Sequence, residues 1–182
     1  MQAIVPIPEP YVLCTQAASA VCTGYDPVSY SFFGWMGVAA AVVLANFGSA
    51  YGTAKSGIGI GPMAVTRPNL VYKALIPVVM AGILGIYGLI VAVIMITRIK
   101  LSAEFGHYQG FKLLAGGLCC GFSCLASGYA IGIVGEVGVR SYAINEDFYV
   151  GLILILIFGE AIGLFGLIVA ILMAQIGEQS SG

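Results

Sequence analysis

Residues 148–174 form the apolar run FYVGLILILIFGEAIGLFGLIVAILMA, in which Glu160 is the single charged residue. At 1.5 Å per residue, a helix of this length exceeds the roughly 30 Å hydrocarbon core of a bilayer, so the run predicts a membrane-spanning helix with Glu160 near its centre. An ionised carboxylate at that depth costs about 3 kcal/mol on insertion scales, and such an acid is normally protonated or paired. Glu160 is therefore a candidate proton- or cation-binding residue. One alternative is that Glu160 is a hydrogen-bonded acid with a packing role only. The other is that the run is a core helix of a soluble protein, which the length of the run disfavours.

The composition agrees with a protein that lies mostly inside a membrane. Of its 182 residues, 60% are hydrophobic and only 8% are charged, whereas a soluble domain carries about 25% charged residues. The net charge of -1 argues against a nucleic-acid partner. The 26 glycines fall largely inside the apolar runs, a distribution that indicates close helix packing.

The five cysteines give no sign of a metal or redox centre, because no C-x-x-C pair is present. Cys119, Cys120 and Cys124 lie in an apolar run, where a free thiol behaves as a small hydrophobic group. Cys14 and Cys22 would pair only if the N-terminus lies in an oxidising compartment, which the sequence leaves open.

We predict an all-α membrane protein of two helical hairpins. The predicted divisions are an N-terminal tail (1–30), a first hairpin (31–97, with spans at about 31–54 and 74–97), a connection (98–110), a second hairpin (111–174, with spans at about 111–134 and 148–174) and a C-terminal tail (175–182). The glycine-containing polar stretches 55–73 and 135–147 are expected to be the loops within the hairpins.

The two hairpins are copies of each other. At an offset of 78 residues, IYGLIVA at 86–92 aligns with LFGLIVA at 164–170, and Ser49 aligns with Ser127. One offset for both pairs of spans indicates a tandem duplication. The copies share one orientation, which disfavours the inverted-repeat plan of many transporters. Glu160 aligns with Gly82, so only the second hairpin carries the acid. The first helix of each hairpin is rich in small residues, which favours an inner position in a ring.

Several long strings resemble the proteolipid c subunit of vacuolar-type proton-translocating ATPases. They are FFGWMG (32–37), AYGTAKSGIGI (50–60), IPVVMAGILGIYGLIVAV (76–93), SGYAIGIVGEVGVR (127–140) and LILIFGEAIGLFGLIVAIL (154–172). The resemblance covers about residues 31–174. Two positions depart from the family pattern: Gly159 stands where alanine usually precedes the essential acid, and Phe165 stands where tyrosine is common. Phe165 has no hydroxyl group to offer to a neighbouring residue or an inhibitor.

The resemblance implies a non-hydrolytic rotor subunit that binds one proton at Glu160 and works without a cofactor or metal. The implied partners are identical and paralogous proteolipids in the ring, a stator membrane subunit with an essential Arg, a central-stalk subunit at the cytosolic loops, and the bilayer. It also implies lumenal termini, a lumenal 98–110 connection and a vacuolar, lysosomal or other endomembrane location. Gly159, Gly163, Tyr87 and Phe165 are the expected neighbours of Glu160, and Tyr87 is either its hydrogen-bond partner or ordinary packing.

Protons are the expected cargo, because sodium-carrying relatives place oxygen ligands where this chain has Ile83 and Leu84. Gly82 favours the principal c subunit over the paralogue whose key acid lies in the earlier hairpin. Two rival interpretations are a stand-alone proton-coupled transporter or channel, which would have a cavity lined by polar or aromatic groups, and a purely structural membrane scaffold.

Overall fold

The structure, a computed structural model, describes residues 27–101 and 107–175, and every regular element in these two ranges is helical. The four long helices are α1 (Pro27–Thr66), α2 (Ile76–Leu101), α3 (His107–Ile144) and α4 (Phe148–Gln175). A 3₁₀ turn, Pro68–Leu70, and a short helix, Val71–Ala74, connect α1 to α2. Four helical segments are long and apolar enough to cross a membrane, which confirms the predicted fold class. Cys14 and Cys22 lie outside the described residues.

Helices α1 and α3 pack backbone to backbone through glycine. A Cβ atom on Gly37 would lie 2.6 Å from the Leu113 carbonyl oxygen, and one on Gly48 would lie 2.5 Å from that of Cys124. These distances are shorter than side-chain carbons tolerate, so only glycine permits this approach. The small-residue faces of the first helix of each hairpin therefore lie against each other.

The contacts between helices also show the duplication in three dimensions. Along α1 and α3 the contacting residues increase together, from Gly37 with Leu113 to Gly59 with Glu136, so the two helices are parallel. Helix α2 runs back along α1, with Gly88 against Ala45. Helix α4 runs back along α3 in the same way, and α2 and α4 also contact each other. The chain is thus two antiparallel hairpins placed side by side in the same sense.

The loops predicted within the hairpins are wrong in part, because α1 continues to Thr66 and α3 continues to Ile144. Glycine and proline suggested turns at 55–66, but Gly59 provides a contact with the Glu136 backbone. Met63, Val139 and Tyr142 are buried together in a second apolar cluster beyond the main core. Tertiary packing therefore overrides the low helix propensity of these stretches. The predicted connection 98–110 is also partly helical, since α2 reaches Leu101 and α3 begins at His107.

Ion pairs join the two hairpins at the end of the molecule where α1 and α3 terminate. Lys55 Nζ lies 3.4 Å from Glu136 Oε2, and Arg140 lies 2.9 Å from the other oxygen of the same carboxylate. Arg67 and Glu146 form a further, exposed pair at 3.1 Å. Glu136 is the more buried member of its cluster and accepts from both cations, so it bridges α1 and α3 at this end.

Candidate functional site

Glu160 lies in the middle of α4, about 18 Å along the helix axis from Phe148 and about 22 Å from Gln175 at 1.5 Å per residue. Its side chain is half-buried on the side of α4 that faces α2. Helix α4 is held there by Leu152, Leu156, Gly163, Gly166 and Ala170, which are all buried in the bundle. The apolar stripe of α4 thus orients a polar group that the bilayer would otherwise surround.

The Tyr87 hydroxyl on α2 donates a hydrogen bond of 3.0 Å to Glu160 Oε1. Tyr87 is half-buried and packs against the main apolar core, which limits the movement of its ring. A phenol donor stabilises an ionised carboxylate and is also compatible with a protonated carboxyl group, whose second oxygen still accepts. The pair is therefore suited to an acid that alternates between the two forms.

Two serines on α3 contact the backbone of α4 on both sides of Glu160. The fully buried Ser127 hydroxyl donates to the Gly159 carbonyl oxygen at 2.7 Å. One turn away, Ser123 donates to the Ile162 carbonyl oxygen. In a helix, each of these carbonyls also accepts a hydrogen bond from the N–H of the residue four positions later. Each serine therefore adds a second donor to a backbone oxygen near Glu160.

The two predicted glycine neighbours have different surroundings. A Cβ atom on Gly163 would lie 2.7 Å from Leu84 Cδ2, so a side chain at 163 would press on the Leu84 methyl group of α2. A Cβ atom on Gly159 would lie 3.2 Å from Ile131 Cγ1, a contact that a small shift of Ile131 relieves. The alanine usual in the family at 159 therefore needs only a small shift of Ile131, whereas a side chain at 163 needs the buried Leu84 side chain to move.

The structure does not bring all the sequence-predicted neighbours to the carboxyl group. Tyr87 contacts it directly, and Gly159 and Gly163 lie on the adjacent packed surface of α4. Phe165 is 67% exposed, because five residues along a helix correspond to a rotation of about 140° from Glu160. Leu84, named above only for the choice of ion, and Ser127, which was not a predicted neighbour, complete the packed side of the site.

In the first hairpin, the position equivalent to Glu160 borders open space. A Cβ atom on Gly82, the residue aligned with Glu160, would meet no atom within 4 Å. The flanking arrangement is partly retained, since a Cβ atom on Gly85 would lie 3.5 Å from Ser49 Oγ, the same distance as from a Cβ on Gly163 to Ser127 Oγ. The first hairpin therefore keeps the helix packing of the second without its acid.

Four spanning helices in two parallel copies, with one carboxyl group between α2 and α4, define a proteolipid with a duplicated hairpin. The family model described as the C subunit of ATP synthase matches twice, at residues 36–95 and 114–173, and the chain belongs to this family. Each match covers one hairpin, in agreement with the internal repeat.

The chain is also similar along most of its length to individual V-type proton ATPase proteolipids. The chain is 54% identical to the V-type proton ATPase 16 kDa proteolipid c subunit of Nephrops norvegicus, over 81% of this chain and 93% of the relative. It is 52% identical to the V-type proton ATPase c' subunit of Eremothecium gossypii, over 85% and 94%. It is 50% identical to the c' subunit of Saccharomyces cerevisiae, over 92% and 100%. The chain is thus an integral multi-pass membrane protein of the V-type proteolipid group.

Proposed function

We propose that this chain is a rotor-ring subunit of a vacuolar-type proton ATPase and that Glu160 carries one proton per subunit as the ring turns. The observation that carries the proposal is the half-buried Glu160 carboxyl group, which lies near the middle of α4 and is hydrogen-bonded to Tyr87. A protonated carboxyl group is neutral and crosses the lipid-facing part of the cycle, whereas an ionised one is excluded from it. Rotation is therefore coupled to occupation of the site.

Release of the proton requires a cation that favours the ionised form of Glu160. In this proposal the cation is an Arg of the stator membrane subunit, and ATP hydrolysis takes place on other chains. The ends of α1 and α3, with their ion pairs, face the cytosol and contact the central stalk, while both termini are lumenal. The complex acidifies a vacuolar, lysosomal or other endomembrane compartment.

The exposed surface of the single chain supports assembly into a ring. Fewer than half of the residues in the most apolar part of each span are buried within the chain. Large apolar side chains are exposed on all four helices, among them Phe47 on α1, Leu89 on α2 and Phe122 on α3. Neighbouring copies on two sides and lipid on the others would cover this surface.

The surroundings of Glu160 favour protons over sodium ions. Tyr87 supplies one hydroxyl oxygen, while Leu84 is fully buried against α4 at a position where a sodium site would need an oxygen ligand. A hard cation needs several oxygen ligands at once, and a proton needs one acceptor.

The rival proposal, a stand-alone transporter, receives less support. A hollow of about 210 Å³ lies beside Gly159. Its lining includes one aromatic residue, Phe158, and no residue with a polar side chain. A substrate pathway coupled to Glu160 would need polar groups in such a place.

The identities to the c and c' proteolipids lie between 50% and 54%, so both types of ring proteolipid are compatible with the chain. The preference for the principal c subunit depends on Gly82, the position where the rival paralogue was expected to carry its key acid. In either case the chain has one acid site, Glu160.

Labelling with a lipid-soluble carbodiimide tests the proposal, since this reagent modifies protonated carboxyl groups in apolar surroundings. We expect one adduct per chain, located at Glu160 by peptide mass spectrometry, and a loss of ATP-driven acidification that grows with the labelled fraction. Full labelling of Glu160 with undiminished acidification would contradict the proposed function.

A further inference from the structure

The two serine contacts between α3 and α4 differ from the other hydroxyl contacts of the molecule. Thr53, Thr66, Thr97 and Ser141 each donate to a carbonyl of their own helix, as hydroxyl groups in helices commonly do. Among the hydroxyl groups of the described ranges, only those of Ser123 and Ser127 donate from one long helix to the backbone of another. Both acceptors flank Glu160.

A glycine of α4 lies opposite each of the two serines. In a regular helix the Gly159 carbonyl accepts from the N–H of Gly163, and the Ile162 carbonyl accepts from that of Gly166. A Cβ atom on Gly163 would lie 3.5 Å from Ser127 Oγ, and one on Gly166 would lie 2.6 Å from Ser123 Oγ. A side chain at 166 would displace Ser123 from its carbonyl, whereas a Cβ atom at 163 would be in ordinary van der Waals contact with Ser127.

The first hairpin lacks the same arrangement. Ala45 stands where the second hairpin has Ser123, and a Cβ atom on Gly88 would meet the Ala45 side chain at 2.5 Å. Ser49 is retained opposite Gly85, but a Cβ atom there would meet Asn46 Oδ1 first, at 2.9 Å. The paired hydrogen bonds are therefore found in the hairpin that carries the acid.

We propose that Ser127, assisted by Ser123, is a positioning residue that holds α4 in the register in which Glu160 reaches the Tyr87 hydroxyl. Sliding or rotation of α4 on α3 would break both serine bonds and would carry Glu160 away from α2 at the same time. Ser127 is the principal member because it is fully buried and bonds the carbonyl immediately before Glu160. This inference rests on the proposed function, since the position of the carboxyl group matters only if Glu160 exchanges a proton.

The test compares Ser127→Ala with Ser49→Ala, its matched control 78 residues earlier. Assembled rings are quantified by native electrophoresis, and rates are expressed per ring. We expect Ser127→Ala to slow ATP-driven acidification about threefold, the scale of one buried hydrogen bond, and Ser49→Ala to leave the rate unchanged. Carbodiimide labelling of Glu160 should become faster in Ser127→Ala, because a carboxyl oxygen released from Tyr87 is free to react.

A double-mutant cycle with Tyr87→Phe separates positioning from a general effect on stability. If Ser127 acts through the Tyr87–Glu160 contact, Ser127→Ala adds no further change to either rate in the Tyr87→Phe background. Additive effects, or a Ser127→Ala phenotype equal to that of Ser49→Ala, would overturn the inference. Normal acidification by Glu160→Gln would instead reject the proposed function, so the two failures are distinguishable.

Discussion

Vesicles whose rings carry Glu160→Gln are expected to show no ATP-driven acidification, although the rings assemble. Glutamine has nearly the same shape as glutamic acid and can still accept the hydrogen bond from Tyr87, so the contact between α2 and α4 is preserved. It cannot bind and release a proton within the cycle. The substitution therefore separates the chemistry of Glu160 from its packing, and the dye-reported pH gradient should fall to background.

Two further observations make this result interpretable. Native electrophoresis of the same membranes should show rings at the wild-type level, which excludes a folding defect. Gly82→Ala, at the aligned position of the first hairpin, is the control: its new Cβ meets no atom within 4 Å, so acidification should continue at the normal rate. Acidification by Glu160→Gln rings would mean that Glu160 is a packing acid.

The second large effect is expected from Gly163→Val. A Cβ atom at 163 would lie 2.7 Å from Leu84 Cδ2, and the branched valine side chain adds further atoms at the same contact. Overpacking of this kind costs about 1–3 kcal/mol, because it forces the buried Leu84 side chain off its rotamer and shifts the backbones of the two helices. Since the same two helices carry Tyr87 and Glu160, we expect their hydrogen bond to break and the acidification rate to fall about tenfold or more.

Gly151→Val is the matched control in the same helix, because a Cβ atom on Gly151 meets nothing within 4 Å. Acidification per assembled ring should be close to wild type in this variant. Equal rates in the two valine variants would show that the approach of α2 to α4 is unimportant for function, contrary to the geometry of the site.

The position of the acid and the number of spans could be predicted from the sequence for a simple physical reason. Apolar runs that exceed the thickness of a bilayer usually form spanning helices. A single carboxylate in such a run is a candidate functional residue because an ionised group inside the membrane is energetically costly. Tyr87 was named as an expected neighbour of Glu160 only within the picture implied by the family resemblance, as either a hydrogen-bond partner or ordinary packing.

The ends of the helices were less predictable. Gly59 and Gly135 lie in stretches whose composition is typical of turns, but both are close-packing positions between helices in the structure. Glycine has both uses, and the sequence pattern around it does not distinguish them when the partner helix is distant along the chain.

Ser123 and Ser127 were missed as site residues because they occur among the small residues of α3. Whether a serine in such a row fills space or donates across the interface depends on the rotation of α3 relative to α4, which the apolar periodicity does not fix. The sequence does contain one signal for this contact. Ser123 and Ser127 are four residues apart on α3, and they face Gly163 and Gly166, which are three residues apart on the antiparallel helix α4. Phe165 shows the opposite case, a predicted neighbour that the helical rotation places on the exposed surface.

A proton count on isolated rings tests the central claim most directly. Wild-type and Glu160→Gln rings in detergent are titrated between acidic and alkaline pH, and the bound protons are compared per chain. If Glu160 binds and releases the transported proton, the wild-type ring takes up one more proton per chain than the variant. Identical titration curves would show that Glu160 does not exchange its proton, and would contradict its role as the transport site.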